Sequence, residues 1–109
     1  MLAVNGDWID ANFYIDSGAD ITLLPHSMGK LLGFEITNDR IQQLRGVGSG
    51  VVPVVIKKLY IKIGGMKINA RVAWALIEDV PPLLGRLDIY NKFHVLFKED
   101  ERIIEFEKI

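Results

Sequence analysis

The sequence predicts a small, mostly β domain of barrel-like architecture with one or two short helices. Three observations lead there. Strand-length runs with apolar residues at period two follow one another, separated by glycine, proline and asparagine turn signals. Only two stretches, 26–31 and 86–92, suit a helix, and both are short. The chain of 109 residues is half hydrophobic and lacks cysteine, so one domain spanning 1–109 can build a core without disulfides or zinc–thiolate sites.

Taken in order, residues 7–15 put Ile9, Ala11, Phe13 and Ile15 on one face, which predicts a strand. Asn5-Gly6 is a hairpin signal joining it to a short partner at 1–4. Residues 21–24 read as another strand. Pro25 then opens a helical turn over 26–31 that closes near Gly33. Residues 40–45 and 51–63 are strand candidates flanking Gly46-Val47-Gly48-Ser49-Gly50, and Pro53, which lacks a donor, predicts an edge or unpaired position. Gly64-Gly65 turns the chain into a return strand over 66–76. A proline loop precedes a short buried strand at 83–85, a short helix is expected over 86–92, and the end is a hairpin, 93–98 with 103–109, around the charged tip Lys98-Glu99-Asp100-Glu101-Arg102.

Charge narrows the classes of function. Thirteen basic and fourteen acidic residues give a net charge of −1, and the sequence carries no run of basic residues of the kind that grips phosphates, so no nucleic-acid partner is expected. No apolar stretch approaches a membrane span, and the N-terminus lacks a basic-then-apolar signal. The absence of cysteine is neutral about redox compartment and fits a cytoplasmic protein. The chain opens almost at once on a strand, which fits a domain cut from a longer protein. His26 and His94 stand far apart with no acids at ligand spacing, so neither metal nor cofactor is expected. Trp8 and Trp74 read as core or interface aromatics.

The residues that carry chemistry follow the first long strand: Asp16-Ser17-Gly18-Ala19-Asp20. An acid at the mouth of a loop leaving a strand is held rigidly yet reaches solvent, as a general base must be. Ser17 can bond to backbone and pin the loop, and Gly18 permits close backbone approach. An isolated Asp-Ser-Gly is also a common plain turn. Downstream, Leu83-Leu84-Gly85-Arg86-Leu87-Asp88 forms an apolar-apolar-Gly-Arg turn, and the glycine-rich run 46–50 lies between the two. That run lacks the Lys-Ser/Thr and following helix of a phosphate loop, and a simple hairpin turn accounts for it as well.

In this order the three elements resemble the retropepsin-like aspartic proteases, the retroviral and retrotransposon enzymes with their cellular and prokaryotic relatives, over nearly the whole chain. The resemblance implies a small closed β-barrel-like acid-protease fold. It makes Asp16 the catalytic carboxylate, with Ser17, in place of the more familiar threonine, and Gly18 completing the catalytic loop. Ala19, Asp20, Gly46, Val47, Gly48 and Leu84 would meet substrate, the glycine-rich run serving as a flap that closes over it. Leu23, Val47, Val51 and Leu84 would supply apolar pockets. Asp20 and Arg86 would form a structural ion pair bracing the loop. Two departures stand out: the region before Asp16 lacks the arginine that pairs across the dimer in the viral enzymes, and the chain continues through a full C-terminal hairpin.

The shared-proton chemistry of such enzymes needs two acids, yet the sequence holds a single Asp-Ser/Thr-Gly. The resemblance therefore implies a homodimer, with a cleft across the two-fold axis that accepts an extended peptide from a protein substrate. A catalytically inactive peptide-binding or dimerisation module on the same fold is the alternative.

Overall fold

The computed structural model describes residues 2–3, 8–16, 18–47, 50–98 and 103–109. The expected Asn5-Gly6 turn, Ser17, Gly48-Ser49 and the hairpin tip 99–102 lie outside the described residues. The strands are β1 (Leu2–Ala3), β2 (Tyr14–Ile15), β3 (Thr22–Leu24), β4 (Ile41–Val47), β5 (Gly50–Ile63), β6 (Met66–Ala75), β7 (Leu83–Leu84), β8 (Phe93–Lys98) and β9 (Ile103–Lys108), with one helix, α1 (His26–Leu31).

The first seven strands form one sheet in the order β1-β5-β6-β3-β7-β2, β4 pairing with β5, while β8 and β9 form a hairpin of their own. The sheet curls as a half-barrel, the expected acid-protease architecture. Its spine is the β5–β6 hairpin, in register from Val54↔Ala75 to Ile63↔Met66 and turned at Gly64, whose φ of 60° suits glycine. Alternation is clean there: Leu59, Ile61, Ile68, Ala70 and Val72 face a core that also holds Leu2, Leu24, Trp74, Ile89 and Phe93. A second cluster, Leu23, Val52, Val54, Ala73, Ala75 and Val80, alternates with these residues along β3, β5 and β6 and so lies on the opposite face of the sheet. Pro53 stands opposite Gln43 and its carbonyl accepts the Leu76 N–H at 2.9 Å. Its missing donor points to that same side, where β6 has already ended at Ala75.

Helix α1 starts after Pro25 and ends on Gly33 at φ 90°. The Phe34 N–H reaches the Gly29 carbonyl at 2.9 Å and the Gly33 N–H reaches that of Lys30 at 3.0 Å, the paired bonds of a Schellman stop. Phe34 then tilts against Trp74, which stacks on His26 with ring centroids 5.1 Å apart. Gly29 passes so close to the Trp74 indole that a Cβ there would overlap it.

Two elements differ from expectation. Residues 86–92 form linked turns, with Ile89 and Tyr90 N–H groups bonding the Arg86 carbonyl, in place of a helix. Asp88 sits at φ 65°, a left-handed conformation that no helix interior accommodates. The strand expected over 7–15 keeps its alternation, since Ile9, Ala11, Phe13 and Ile15 pack against the core. Ladder pairing within it is confined, among the described residues, to a bridge at Ile9 and to β2. No helix among the described residues is long and apolar enough to cross a membrane.

Candidate active site

The site is built where β7 wedges between β2 and β3. β7 runs parallel to β2, Tyr14 opposite Leu83 and Ile15 opposite Leu84, and antiparallel to β3 at Leu23↔Leu83. The chain leaving β2 must therefore cross the end of β7 before it returns as β3, and Asp16 and residues 18–21 belong to that crossing. Asp16 is its first residue, held by its N–H on the Leu84 carbonyl at 3.3 Å.

The crossing is pinned from below. The Gly85 N–H donates to Thr22 Oγ1 at 3.0 Å in a fully buried contact. A Cβ on Gly85 would overlap the Ile21 carbonyl, so only glycine passes there. Beyond it, Arg86 and Leu87 donate their N–H groups to the carbonyls of Ala19 and Asp20 at 3.0 and 2.9 Å. Within the loop, the Ala19 N–H closes a turn on the Asp16 carbonyl at 3.1 Å. The Gly18 N–H donates to Asp16 Oδ1 at 2.9 Å, which fixes one carboxylate oxygen and leaves the half-buried group open to a cavity.

That cavity is lined by Asp16, Gly18, Ala19, Asp20, Ile21, Leu23, Leu44, Arg45 and Leu83. Its apolar wall is continuous with the second hydrophobic cluster, whose partly exposed members include Ile21, Leu44 and Leu83. The arrangement offers a fixed acid in a cavity that joins apolar side chains with a second acid, Asp20, and with the exposed Arg45 guanidinium at the β4 rim. Among the described residues, no group of three or more His, Cys, Asp or Glu side chains is placed to hold a metal ion.

The loop residues chosen from sequence, Asp16, Gly18, Ala19 and Asp20, all meet in this cavity, joined by the expected pocket residue Leu23. Ser17 and Gly48 lie outside the described residues. Gly46 and Val47 continue β4 beyond Arg45 across a register shift, and Val47 pairs with Gly50.

Two expectations require correction. Leu84 points into the core, 4% exposed, and its strand neighbour Leu83 lines the cavity; the two alternate faces, and the sequence pattern offered no way to tell which face is which. Asp20 and Arg86 form no ion pair: the Asp20 carbonyl takes the Leu87 N–H and the Arg86 N–H goes to Ala19, while the ion pairs among the described residues are Lys57–Asp39, Arg71–Asp88 and Lys98–Glu105. Both side chains are exposed, so water solvates each charge without a partner.

Sequence reasoning missed Leu44, Arg45 and Thr22, although the first two directly precede the glycine-rich run. It also missed Tyr90, whose buried hydroxyl has no partner among the described residues. Burial pushes that phenol's pKa up; the nearby Arg86 cation opposes the rise and the Asp16 charge adds to it. An aspartyl protease family model matches residues 1–86, from the first strand through the Gly85-Arg86 turn. Among curated proteins, none matches the chain.

Proposed function

This chain belongs to the aspartyl protease family of the retropepsin-like clan, and we propose that it is an aspartic endopeptidase working as a homodimer. The observation that carries the reading is the Asp16 carboxylate, fixed by the Gly18 N–H and facing a cavity of mixed apolar and charged lining at the crossing of β2, β7 and β3. The catalytic pair is Asp16 with Asp16 of a second copy, since the sequence holds no second Asp-Ser/Thr-Gly. Aspartic proteases are the standard instance of two close carboxylates sharing one proton. The ionised member takes a proton from water, whose oxygen attacks the peptide carbonyl carbon while the protonated member gives its proton to the carbonyl oxygen. As the tetrahedral intermediate collapses, the protonated carboxyl gives its proton to the departing nitrogen, the other carboxylate takes the proton of one hydroxyl as the C=O re-forms, and the C–N bond breaks, leaving the pair with its one shared proton.

Ser17 and Gly18 complete the catalytic loop. Ala19, Asp20, Leu23, Leu83 and the β4 rim contact an extended peptide, with Gly46, Val47 and Gly48 closing over it. Asp20 also lines the cavity, so the choice of partner acid has its own test. The experiment is digestion of a denatured protein across an acidic-to-neutral series, with mass measured by sedimentation. Asp16→Asn is expected to abolish cleavage and keep the dimer, while Asp20→Asn retains cleavage. Activity in Asp16→Asn, or full activity in a monomer, would overturn the proposal. Peptide binding without turnover at any pH would favour an inactive module.

A further inference from the structure

Away from the acid cavity, the turn between β5 and β6 meets the C-terminal hairpin across a recess. It measures about 530 Å³ and is lined by Ile63, Met66, Phe93 and Phe106, with the exposed Lys67 and Lys108 at its mouth. A second recess of about 200 Å³ adjoins it, sharing Ile63 and Phe106 and continuing along Phe13, Ile15, Ile61 and Leu84. Lys62, which also lines this second recess, has contacts of its own. Small-molecule sites measure roughly 300–1,000 Å³ and combine apolar walls with a few fixed polar groups. The larger recess has both properties.

Register places the two charges. Lys108 pairs with Phe93, so it shares the side of the hairpin that packs on the core. A lysine there lays its methylenes along the apolar wall and keeps its ammonium in water. Lys67 follows the Gly64-Gly65 turn, its Nζ 4.4 Å over the Tyr60 ring, a contact that supports a cation without neutralising it. Neither lysine belongs to an ion pair among the described residues. Beyond their chain neighbours, Gly64 and Gly65 have no atom within 4 Å of where a Cβ would stand, so the rim beside Lys67 is open.

We propose that the paired recesses bind a fatty carboxylate, its acyl chain against Ile63 and Phe106 and its carboxylate at Lys67 and Lys108. Burial of the chain supplies the affinity, and the two ammonium groups decide which end faces water. A peptide fits less well, because apart from the lysines the wall side chains offer no donor or acceptor for its amides. The site goes beyond the protease reading and stands without it. Its inner end nevertheless touches Ile15 and Leu84, the register pair directly before Asp16 and Gly85, so an occupant packs against the strands that carry the acid loop.

The test uses the full chain and dodecanoate below its micelle concentration, with affinity read by calorimetry and location by methyl NMR. Dodecanoate is expected to bind and to shift the methyl signals of Ile63 and Met66, leaving that of Leu23 in the acid cavity unmoved. Lys67→Gln with Lys108→Gln, both exposed, is expected to weaken binding about fivefold, since each exposed ion pair contributes a few-fold at most. Lys30→Gln on α1 is expected to change nothing, and dodecanol to bind more weakly than dodecanoate. Absence of binding, shifts confined to Leu23, or equal affinity for dodecanol would overturn the proposal. So would tighter binding of an apolar peptide with a free C-terminal carboxylate, which would assign the groove to a peptide. A dimer that dissociates as dodecanoate is added would likewise overturn it, by giving the groove to the second subunit. Cleavage is no part of the readout, so a chain that binds dodecanoate and never cuts sinks the protease reading alone.

Discussion

At the scale of single residues, the site depends on a contact between Thr22 and Gly85 that touches no substrate. Thr22 is fully buried, and its hydroxyl is the acceptor for the Gly85 N–H at 3.0 Å. Without it, a backbone donor at the base of the acid loop would be buried and unpaired. Thr22→Val, nearly the same shape, is therefore expected to cost about 1–3 kcal/mol in denaturant unfolding, the usual penalty for an orphaned buried donor. The same variant should lower any cleavage activity beyond its effect on the folded fraction, because Gly85 leads directly into Arg86 and Leu87, whose N–H groups hold Ala19 and Asp20. A loss below a few tenths of a kcal/mol would mean that water reaches the Gly85 N–H. Gly85 was legible as part of an apolar-apolar-Gly-Arg turn. Its partner was not, because threonine in an apolar strand gives no sign of whether its hydroxyl is spent on a bond 63 residues away.

Among the elements, those fixed by local chemistry were legible and those fixed by distant partners were not. The strands of the β5–β6 and β8–β9 hairpins follow from period-two patterning, and α1 from Pro25 and Gly33. The first turn of α1, however, is capped from afar. Glu78 accepts the Ser27 N–H at 2.8 Å and the Ser27 hydroxyl at 2.6 Å, and these bonds hold its pKa below the ordinary carboxylate range. The wedge of β7 between β2 and β3 was not legible, since no periodicity specifies which strands pair. The helix expected over 86–92 fails at Asp88, which takes left-handed geometry to reach Arg71 on β6: its Oδ2 accepts both the Arg71 N–H and Nε at 2.9 Å. The Arg71 guanidinium holds the Asp88 pKa at about 2, against an ordinary 3.8. A carboxylate whose folded pKa is depressed contributes stability above its unfolded pKa and loses it as pH falls through the folded one. Asp88→Asn, which tolerates the same φ, should thus be less stable than the parent by a constant margin above about pH 4. The margin should shrink as pH drops to about 2 and vanish below it. Urea unfolding of both proteins across that range measures the effect, and a margin independent of pH would show that Asp88 acts only through its backbone.

Across the whole molecule, the feature still to be accounted for is the C-terminal hairpin, which stands outside the main sheet. One face of it carries Phe93, Val95, Phe97, Ile104 and Phe106, since alternate residues and their register partners share a side. The near end, Phe93 with Phe106 edge-on at 5.5 Å, packs on the core. The far end does not: Phe97 and Ile104, directly opposite each other, are 45% and 41% exposed. A lone two-stranded ribbon is marginal in water, and an apolar face continuing past the edge of its own core is the kind of surface a second subunit covers. The homodimer proposed from the single Asp16 would supply that cover. Replacing both residues, Phe97→Lys with Ile104→Lys, puts four charges of one sign on a two-fold pair of hairpins and is expected to shift sedimentation from dimer to monomer. Cleavage should fall with it and return at high protein concentration, because each cleft then lacks its second carboxylate only while the subunits are apart. A variant that stays dimeric and active would place the two-fold contact elsewhere, and one that is monomeric yet active would remove the need for a second Asp16 altogether.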